Sequence, residues 1–276
     1  MIVDAHHHLW DRTMKQFDHS WQDDQEAICK TFLPTDLEPH LKAKGIEKAV
    51  FVQTQHDPAE NDWVLGLCEQ YDFLAGVVGW IDLAADDCEA QIEKYKANEK
   101  FLGIRHITQG EADDDFIVSE PILKGLGLLE KHDLAFDLLF FVKHLKHGAT
   151  VAQKFPNLRL VIDHLAKPVI KKGDMEGWKE HFIAAAKCPN VYCKLSGMVT
   201  EADWENWKPA DFKPYIDLAL EHFGPERCMF GSDWPVCNLA ATYEEVFDAL
   251  VECIGGLSDD EKGHVLGQTA IEFYRL

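Results

Sequence analysis

The sequence has few basic residues for its length and no long apolar run. Its 276 residues include 27 Lys and Arg against 48 Asp and Glu, which gives a formal net charge of −21. Nucleic acids and anionic membranes are bound by clustered Lys and Arg, so this composition argues against both partners. The longest apolar run, from Leu134 to Val142, is interrupted by Asp137 and is too short to cross a bilayer. We therefore expect no nucleic-acid or membrane partner.

The sequence also shows no export signal and no cysteine spacing typical of a structural metal site. The N-terminus shows no basic segment followed by an apolar core, and the eight cysteines include no Cys-x-x-Cys pair. Reduced thiols in a cytoplasm are the simplest explanation of such scattered cysteines, and the spacing disfavours a zinc ribbon. We expect a cytoplasmic protein, and the composition leaves open whether it forms a homo-oligomer.

Apolar and β-branched runs alternate along the chain with amphipathic stretches. The predicted strands are Ile2–Ala5, Lys48–Gln53, Ala75–Ile81, Leu102–Ile107, Leu134–Phe140, Leu158–Ile162, Val191–Leu195 and Cys228–Gly231. The predicted helices are Leu37–Lys44, Asp62–Gln70, Cys88–Asn98, Pro121–Lys131, Gly148–Lys154, Trp178–Ala186, Asp211–His222 and Thr242–Cys253. Eight such units with no linker between them predict one α/β domain over residues 1–276, a (β/α)8 TIM barrel. A doubly wound open sheet is the alternative.

Polar side chains gather where the predicted strands end. They are His6, His8, Gln53, Gln55, Asp82, Arg105, His106, Asp137, His164, Lys167, Lys194, Ser196, Ser232 and Asp233. Active sites of α/β barrels lie at the carboxyl ends of the strands, so this asymmetry predicts an enzyme. The alternation of side chains in a strand places Asp4, His6 and His8 on one face and His7 on the other.

Two histidines on one strand are a weak signal by themselves, but later strands add His164 and Asp233. Three imidazoles and a carboxylate can bind a divalent metal ion or hold and deprotonate a water molecule. Ser196 lacks the Gly-x-Ser-x-Gly context of a nucleophilic serine, which disfavours a serine hydrolase.

Six motifs resemble the amidohydrolase-related family of TIM-barrel hydrolases. They are "DAHHHLWD" near the N-terminus, "GIRH" at 103–106, "FD" at 136–137, "FPNLRLVIDHLAKP" at 155–168, "VYCKLSG" at 191–197 and "GSDWPV" at 231–236. The closest likeness is to the branch with sugar lactonases and 2-pyrone-4,6-dicarboxylate lactonase. The resemblance implies an amidohydrolase-like barrel with His6, His8, His164 and Asp233 as the reaction centre, holding either one divalent metal ion, such as zinc, or none. Arg105-His106 and Asp137 replace the ligands of a second metal, so a binuclear site is not expected.

The expected reaction is hydrolysis of a small-molecule lactone by water, with Asp233 as the general base. Partial burial would raise the pKa of Asp233, and the three histidines would orient the water or polarise the carbonyl. The resemblance favours a sugar-acid lactone of the L-fucono- or L-rhamnono-lactone type. The candidate substrate-binding residues are Arg105, His106, Lys194, Trp80, Trp234 and His144. Structural roles are the alternatives: an Arg105 ion pair with Asp82 or Asp137, Lys194 neutralising Asp163 or Asp233, and packing by the tryptophans.

Two other functions remain open from the sequence. One is a zinc-dependent decarboxylase of the same superfamily, which uses a similar His/His/His/Asp set. The other is a non-catalytic small-molecule-binding protein on the same scaffold, which is disfavoured because all four reactive residues are present. The acidic segment Gly110–Asp115 is predicted to be a mobile loop, and Val199–Lys213, with Trp204 and Trp207, is predicted to form a lid.

Overall fold

The structure is a computed structural model that describes residues 1–276. Eight parallel strands form one sheet in sequence order: β1 (Val3–His7), β2 (Lys48–Val52), β3 (Leu74–Gly79), β4 (Phe101–His106), β5 (Ala135–Leu138), β6 (Leu160–Ile162), β7 (Val191–Leu195) and β8 (Cys228–Phe230). The sheet closes where the His8 N–H donates to the Trp234 carbonyl at 2.7 Å and the Asp233 N–H donates to the His6 carbonyl at 2.8 Å. The predicted TIM barrel is confirmed, and the open-sheet alternative is wrong.

Helices follow the strands around the outside of the barrel. They are α1 (Pro34–Lys44), α2 (Pro58–Cys68), α3 (Cys88–Lys96), α4 (Glu120–His132), α5 (Val142–Lys154), α6 (Trp178–Ala186), α7 (Met198–Glu201), α8 (Pro209–Phe223), α9 (Tyr243–Cys253), α10 (Asp259–Gly263) and α11 (Thr269–Tyr274). None of these helices has the length and hydrophobicity needed to cross a bilayer.

Two clusters of buried apolar side chains form the core. The larger one lies between the strands and the helices, and it includes Phe51 of β2. The smaller one fills the inside of the barrel and includes Val50 and Val52 of the same strand. Phe273 and Tyr274 of α11 join this inner cluster, so the last helix closes the barrel near the amino ends of the strands. The opposite, carboxyl end is left for polar side chains.

Several helices begin earlier than the sequence predicts. Helix α1 begins at Pro34, α2 at Pro58 and α5 at Val142. Proline suits the first turn of a helix because no partner is available there for a backbone N–H. Asp57 caps α2, since its carboxylate accepts a hydrogen bond from the Ala59 N–H at 2.9 Å. The two helices after residue 258 are not predicted from the sequence at all.

Strand β1 departs from simple alternation. Its register with β2 shifts between Asp4 and His7, so Asp4 does not share a face with His6 and His8. Instead, the Asp4 carboxylate accepts hydrogen bonds from the Ser232 N–H and the Tyr243 hydroxyl, each at 2.9 Å. The prediction of one shared face for Asp4, His6 and His8 is therefore wrong. His7 does lie on the other face of the strand from His6 and His8, where its ring packs against Phe51.

Candidate active site

Three buried histidines from two strand ends converge on one carboxylate oxygen of Asp233 at the carboxyl end of the barrel. The Nε2 atom of His8 lies 3.2 Å from Oδ1 of Asp233 and 3.2 Å from Nε2 of His6. The Nε2 atoms of His6 and His164 each lie 3.8 Å from the same Asp233 oxygen. The structure therefore brings together the four residues that the sequence singles out as the reaction centre.

An unusual backbone turn after β6 presents His164. The four residues from His164 to Lys167 all have positive φ, between 51° and 58°, although none is glycine. This left-handed conformation costs free energy for residues with a Cβ atom, so the surrounding contacts must hold it. The turn directs His164 and Lys167 into the same cavity. Asp233, at the end of β8, also has a positive φ of 57°.

Hydrogen bonds on the far side of each ring fix how His8 and His164 face Asp233. Nδ1 of His8 donates to the Val52 carbonyl at 2.6 Å, and Nδ1 of His164 lies 2.8 Å from the Ser196 hydroxyl. Because a carbonyl only accepts, a neutral His8 has its proton on Nδ1 and a lone pair on Nε2. This lone pair faces the Asp233 carboxylate, so a proton or a cation is needed between them.

These donors fit a single zinc ion. One ligand atom from each of His6, His8 and Asp233 lies within 4.8 Å of the other two. The 3.2 Å separation of the His6 and His8 Nε2 atoms is close to the value of about 3.3 Å that tetrahedral zinc with ordinary Zn–N bonds requires. Hydrogen bonds to the opposite ring nitrogens are also typical of zinc-binding histidines. The set is therefore able to hold one divalent metal ion.

Burial and neighbouring charges shift the titration of this centre. Burial lowers the pKa of His164 to about 4 and also lowers the pKa of His8. For Asp233, burial alone would raise the pKa, but at low pH the protonated His164 supplies a positive charge and the protonated His8 donates a hydrogen bond, and together they lower the pKa below its usual range. The expected net rise in the pKa of Asp233 is therefore wrong, because the histidines outweigh the effect of burial. Asp233 is ionised at neutral pH and is a weak base.

A fully buried charge network lies beneath the reaction centre. The ammonium group of Lys194 lies 2.5 Å from Asp137, 3.0 Å from Asp163 and 3.1 Å from Nδ1 of His6. The Tyr274 hydroxyl donates to Asp137 at 2.9 Å from the barrel interior. Burial raises the pKa of Asp137 to about 6, against the opposing charge of Lys194. Lys194 thus forms ion pairs with both Asp137 and Asp163. It does not line the cavity.

Arg105 lines the cavity but is also held by the protein. Its Nη1 donates to Asp163 at 3.2 Å and lies 3.3 Å from Nε2 of His6, and its Nη2 donates to the Gln53 carbonyl. The structural role predicted from the sequence is an ion pair of Arg105 with Asp82 or Asp137. In the structure, Arg105 pairs with Asp163 instead. Its orientation is therefore fixed before any substrate binds.

His106 and Trp80 lie outside the cavity, next to it. His106 Nδ1 accepts a hydrogen bond from the Trp80 indole at 3.1 Å, and His106 Nε2 lies 2.7 Å from Glu111. His56 stacks on Trp80 with ring centroids 5.3 Å apart. Both ring nitrogens of His106 are thus engaged within the protein. Neither His106 nor Trp80 contacts the cavity next to Asp233.

Trp234 and His144 lie in packed surroundings. The Trp234 ring is only 1% exposed and packs edge-on against Phe32 at 5.2 Å. His144 is buried at the start of α5, where its Nδ1 accepts a hydrogen bond from the Phe141 N–H at 3.2 Å. Neither residue lines the cavity.

A cavity of about 370 Å³ opens next to Asp233. It is lined by His8, Trp21, Thr54, Arg105, Ile107, Gln109, Leu139, His164, Lys167, Asp233 and Val236. Six of these residues are not predicted from the sequence: Trp21, Thr54, Ile107, Gln109, Leu139 and Val236. Position after a strand end is a signal for Thr54, Ile107 and Leu139, whereas Trp21 lies in a long loop without such a signal.

Neither the predicted mobile loop nor the predicted lid lines the cavity. The segment Gly110–Asp115 is tied to α5, because Asp114 pairs with Lys143 and Asp115 lies 2.8 Å from His147. In Val199–Lys213, Trp207 donates to the Ala240 carbonyl at 2.8 Å, and no residue of this segment lines the cavity. The predicted lid is therefore not part of the cavity wall.

The whole chain is similar in sequence and in structure to known hydrolases of one family. The amidohydrolase family model matches residues 3–276. An L-fucono-1,5-lactonase from Burkholderia ambifaria is 38% identical over 280 residues, covering 99% of this chain and 95% of that protein. An L-fucono-1,5-lactonase from Burkholderia multivorans is 33% identical, with 99% and 96% covered. A solved structure of a Burkholderia multivorans amidohydrolase with bound zinc is 32% identical, with a TM-score of 0.94 over 100% of this chain and 99% of that one.

Proposed function

This chain belongs to the amidohydrolase family, and from that premise we propose that it hydrolyses the ester bond of a sugar-acid lactone of the L-fucono-1,5-lactone type. The observation that carries the proposal is the convergence of His6, His8 and His164 on Asp233 beside a cavity of about 370 Å³. A six-carbon lactone fits a cavity of this size. Relatives with lactonase activity cover nearly the whole chain, which supports the same chemistry here.

In the proposed reaction, a water molecule held between Asp233 and the histidines attacks the ring carbonyl carbon. Asp233 accepts a proton from the water as the new C–O bond forms. The ring C–O bond then breaks, and the proton moves from Asp233 to the leaving oxygen. The product is an open-chain aldonic acid, which ionises and releases one proton to solution.

Positive charge is available for the carbonyl oxygen as it becomes negative. Arg105 and Lys167 both line the cavity, and Arg105 is preorganised by Asp163. Fixed cationic donors stabilise a developing oxyanion without having to reorganise during the reaction. We assign Arg105 to this role and to binding of the substrate.

The weak basicity of Asp233 favours help from a metal. His6, His8, His164 and Asp233 would hold one zinc ion, which supplies Lewis-acid polarisation and lowers the pKa of water when bound. Removal of zinc with a chelator should then abolish most turnover, and one equivalent of zinc should restore it. Turnover that resists complete removal of metal would assign activation of the water to Asp233 and the histidines alone.

A panel of sugar lactones tests the function. Hydrolysis is followed as acid release with a pH indicator, and the product is identified by mass spectrometry. We expect L-fucono-1,5-lactone to be opened with a higher kcat/KM than lactones of unrelated sugars. Failure to release acid from any sugar lactone, in the presence or absence of zinc, would overturn the proposal. Release of carbon dioxide from a carboxylated substrate instead would identify a decarboxylase.

A further inference from the structure

Trp21 is an exposed indole on the wall of the cavity. It lies in the short helical turn Ser20–Gln22, within the loop that joins β1 to α1, and it is 45% exposed. Of the eight tryptophans in the chain, Trp21 alone lines the cavity that contains Asp233. An indole has an apolar face and a polar N–H edge, which suits it to the wall of a ligand pocket.

The loop that carries Trp21 is anchored on both sides. Before the turn, the Asp18 N–H donates to the Gln55 side-chain oxygen at 3.1 Å, and the Gln55 amide donates back to the Asp18 carbonyl at 2.9 Å. After the indole, the buried Gln22 accepts a hydrogen bond from Arg12 at 2.8 Å. The position of Trp21 is therefore set by the protein before a ligand arrives.

A second, buried indole contacts the Trp21 ring. Trp10 meets Trp21 edge-on, with ring centroids 5.3 Å apart and an interplanar angle of 79°. Trp10 is itself buried, and its indole N–H donates to the Lys30 carbonyl at 2.6 Å. This edge contact leaves part of the Trp21 ring uncovered, as its exposure shows.

The dimensions of the cavity allow one small ligand to reach both Asp233 and Trp21. A sphere of about 370 Å³ is roughly 9 Å across, which is comparable to the length of a six-carbon sugar acid. Leu139 and Val236 add further apolar surface to the same cavity. The ring of a sugar lactone has hydroxyl groups at its edge and C–H groups on its faces. A flat indole matches such a face, while Asp233 and Arg105 address the polar carbonyl.

We propose that Trp21 is a substrate-binding residue that stacks on the C–H face of the sugar-lactone ring, an inference that rests on the proposed lactonase function. Trp21 contributes binding and orientation, and it takes no part in proton transfer. Trp204 is 43% exposed but does not line the cavity, so it provides a matched control for removal of a partly exposed indole.

Three variants test the role of Trp21: Trp21→Ala, Trp21→Phe and Trp204→Ala. Steady-state hydrolysis of L-fucono-1,5-lactone gives kcat and KM, and isothermal titration calorimetry with L-fuconate gives the affinity for the product. We expect Trp21→Ala to raise KM and to weaken L-fuconate binding by about tenfold, with kcat within about threefold of the unsubstituted enzyme. Trp21→Phe retains an aromatic face and should recover most of the loss. Trp204→Ala should leave both constants within about twofold.

These measurements distinguish failure of the role proposed for Trp21 from failure of the proposed lactonase function. If Trp21→Ala and Trp204→Ala have the same effect on KM and on L-fuconate binding while the unsubstituted enzyme opens the lactone, the role of Trp21 is overturned and the lactonase function stands. If Trp21→Ala lowers kcat strongly at unchanged KM, the binding role is also overturned. If the unsubstituted protein opens no sugar lactone, the proposed function and this inference fall together.

Discussion

The ammonium group of Lys194 lies 2.5 Å from the carboxylate of Asp137, and both side chains are fully buried. Lys194 also lies 3.0 Å from Asp163, so one cation pairs with two carboxylates beneath the reaction centre. Arg105 supplies the second positive charge that balances this network. The proposed catalytic groups therefore lie above a set of buried charges that hold one another in place.

Removing the charge of Lys194 should destabilise the fold. Lys194→Met leaves Asp137 and Asp163 without their shared partner, and we expect a loss of about 3–5 kcal/mol in the free energy of unfolding. Chemical denaturation measures this loss. Lys213→Met is the control, because its ion pair with Asp217 is exposed to solvent and should contribute less than about 1 kcal/mol. Equal effects of the two substitutions would contradict the stabilising role of Lys194.

Replacing Asp233 should remove activity and keep the fold. Asp233 has a φ of 57°, a conformation that asparagine also adopts readily, so Asp233→Asn introduces little backbone strain. We expect kcat for lactone hydrolysis to fall by at least about 100-fold, because an amide cannot accept the proton. Circular dichroism and thermal unfolding should match those of the unsubstituted protein. An Asp233→Asn enzyme within tenfold of the normal kcat would remove Asp233 from the role of base.

A methyl group at Gly197 should displace His164. A Cβ atom built at Gly197 would lie 2.6 Å from Nδ1 of His164, and the residue has a φ of +62°. Gly45→Ala is the matched control, since Gly45 has a φ of +66° with no atom within 4 Å of the added carbon. Both variants should lose about 1 kcal/mol of stability from the backbone. Only Gly197→Ala should also lose turnover, by about tenfold or more, and equal kcat values for the two variants would contradict this.

Glu60 should make stability depend on pH. It is buried at the start of α2, and burial raises its pKa to about 7 against hydrogen bonds from Thr54 and Gln55, which lower it. The folded state therefore holds the proton more tightly than the unfolded state, whose pKa is near the ordinary value of 4.5. The stability from this group is fully present below pH 4.5 and is lost as the pH rises through 7.

The comparison of Glu60→Gln with the unsubstituted protein isolates this effect. From pH 4.5 to pH 8, the stability of the unsubstituted protein relative to Glu60→Gln should fall by on the order of 2–3 kcal/mol. Urea denaturation at several pH values measures it, with Glu69→Gln as an exposed control at the opposite end of the same helix. A stability difference that is flat across this range would show that Glu60 does not bind a proton there.

Local pattern in the sequence determined the architecture. All eight strands end within two residues of where the apolar runs predict, because a short stretch of chain already shows the pattern of apolar side chains that a barrel strand buries. The same holds for the reaction centre. His6, His8, His164 and Asp233 all follow from polar residues at strand ends together with the family motifs.

Only the tertiary structure decided which other residues meet the substrate cavity. The register shift that turns Asp4 toward Tyr243, the left-handed turn at His164 and the pairing of Lys194 with Asp137 all depend on neighbours far away in the chain. Trp21 reaches the cavity and Trp80 does not, although Trp80 is the one that follows a strand. Hydrophobic periodicity is a local property, whereas the path of a long loop and the partner of a buried charge are set by packing between distant segments.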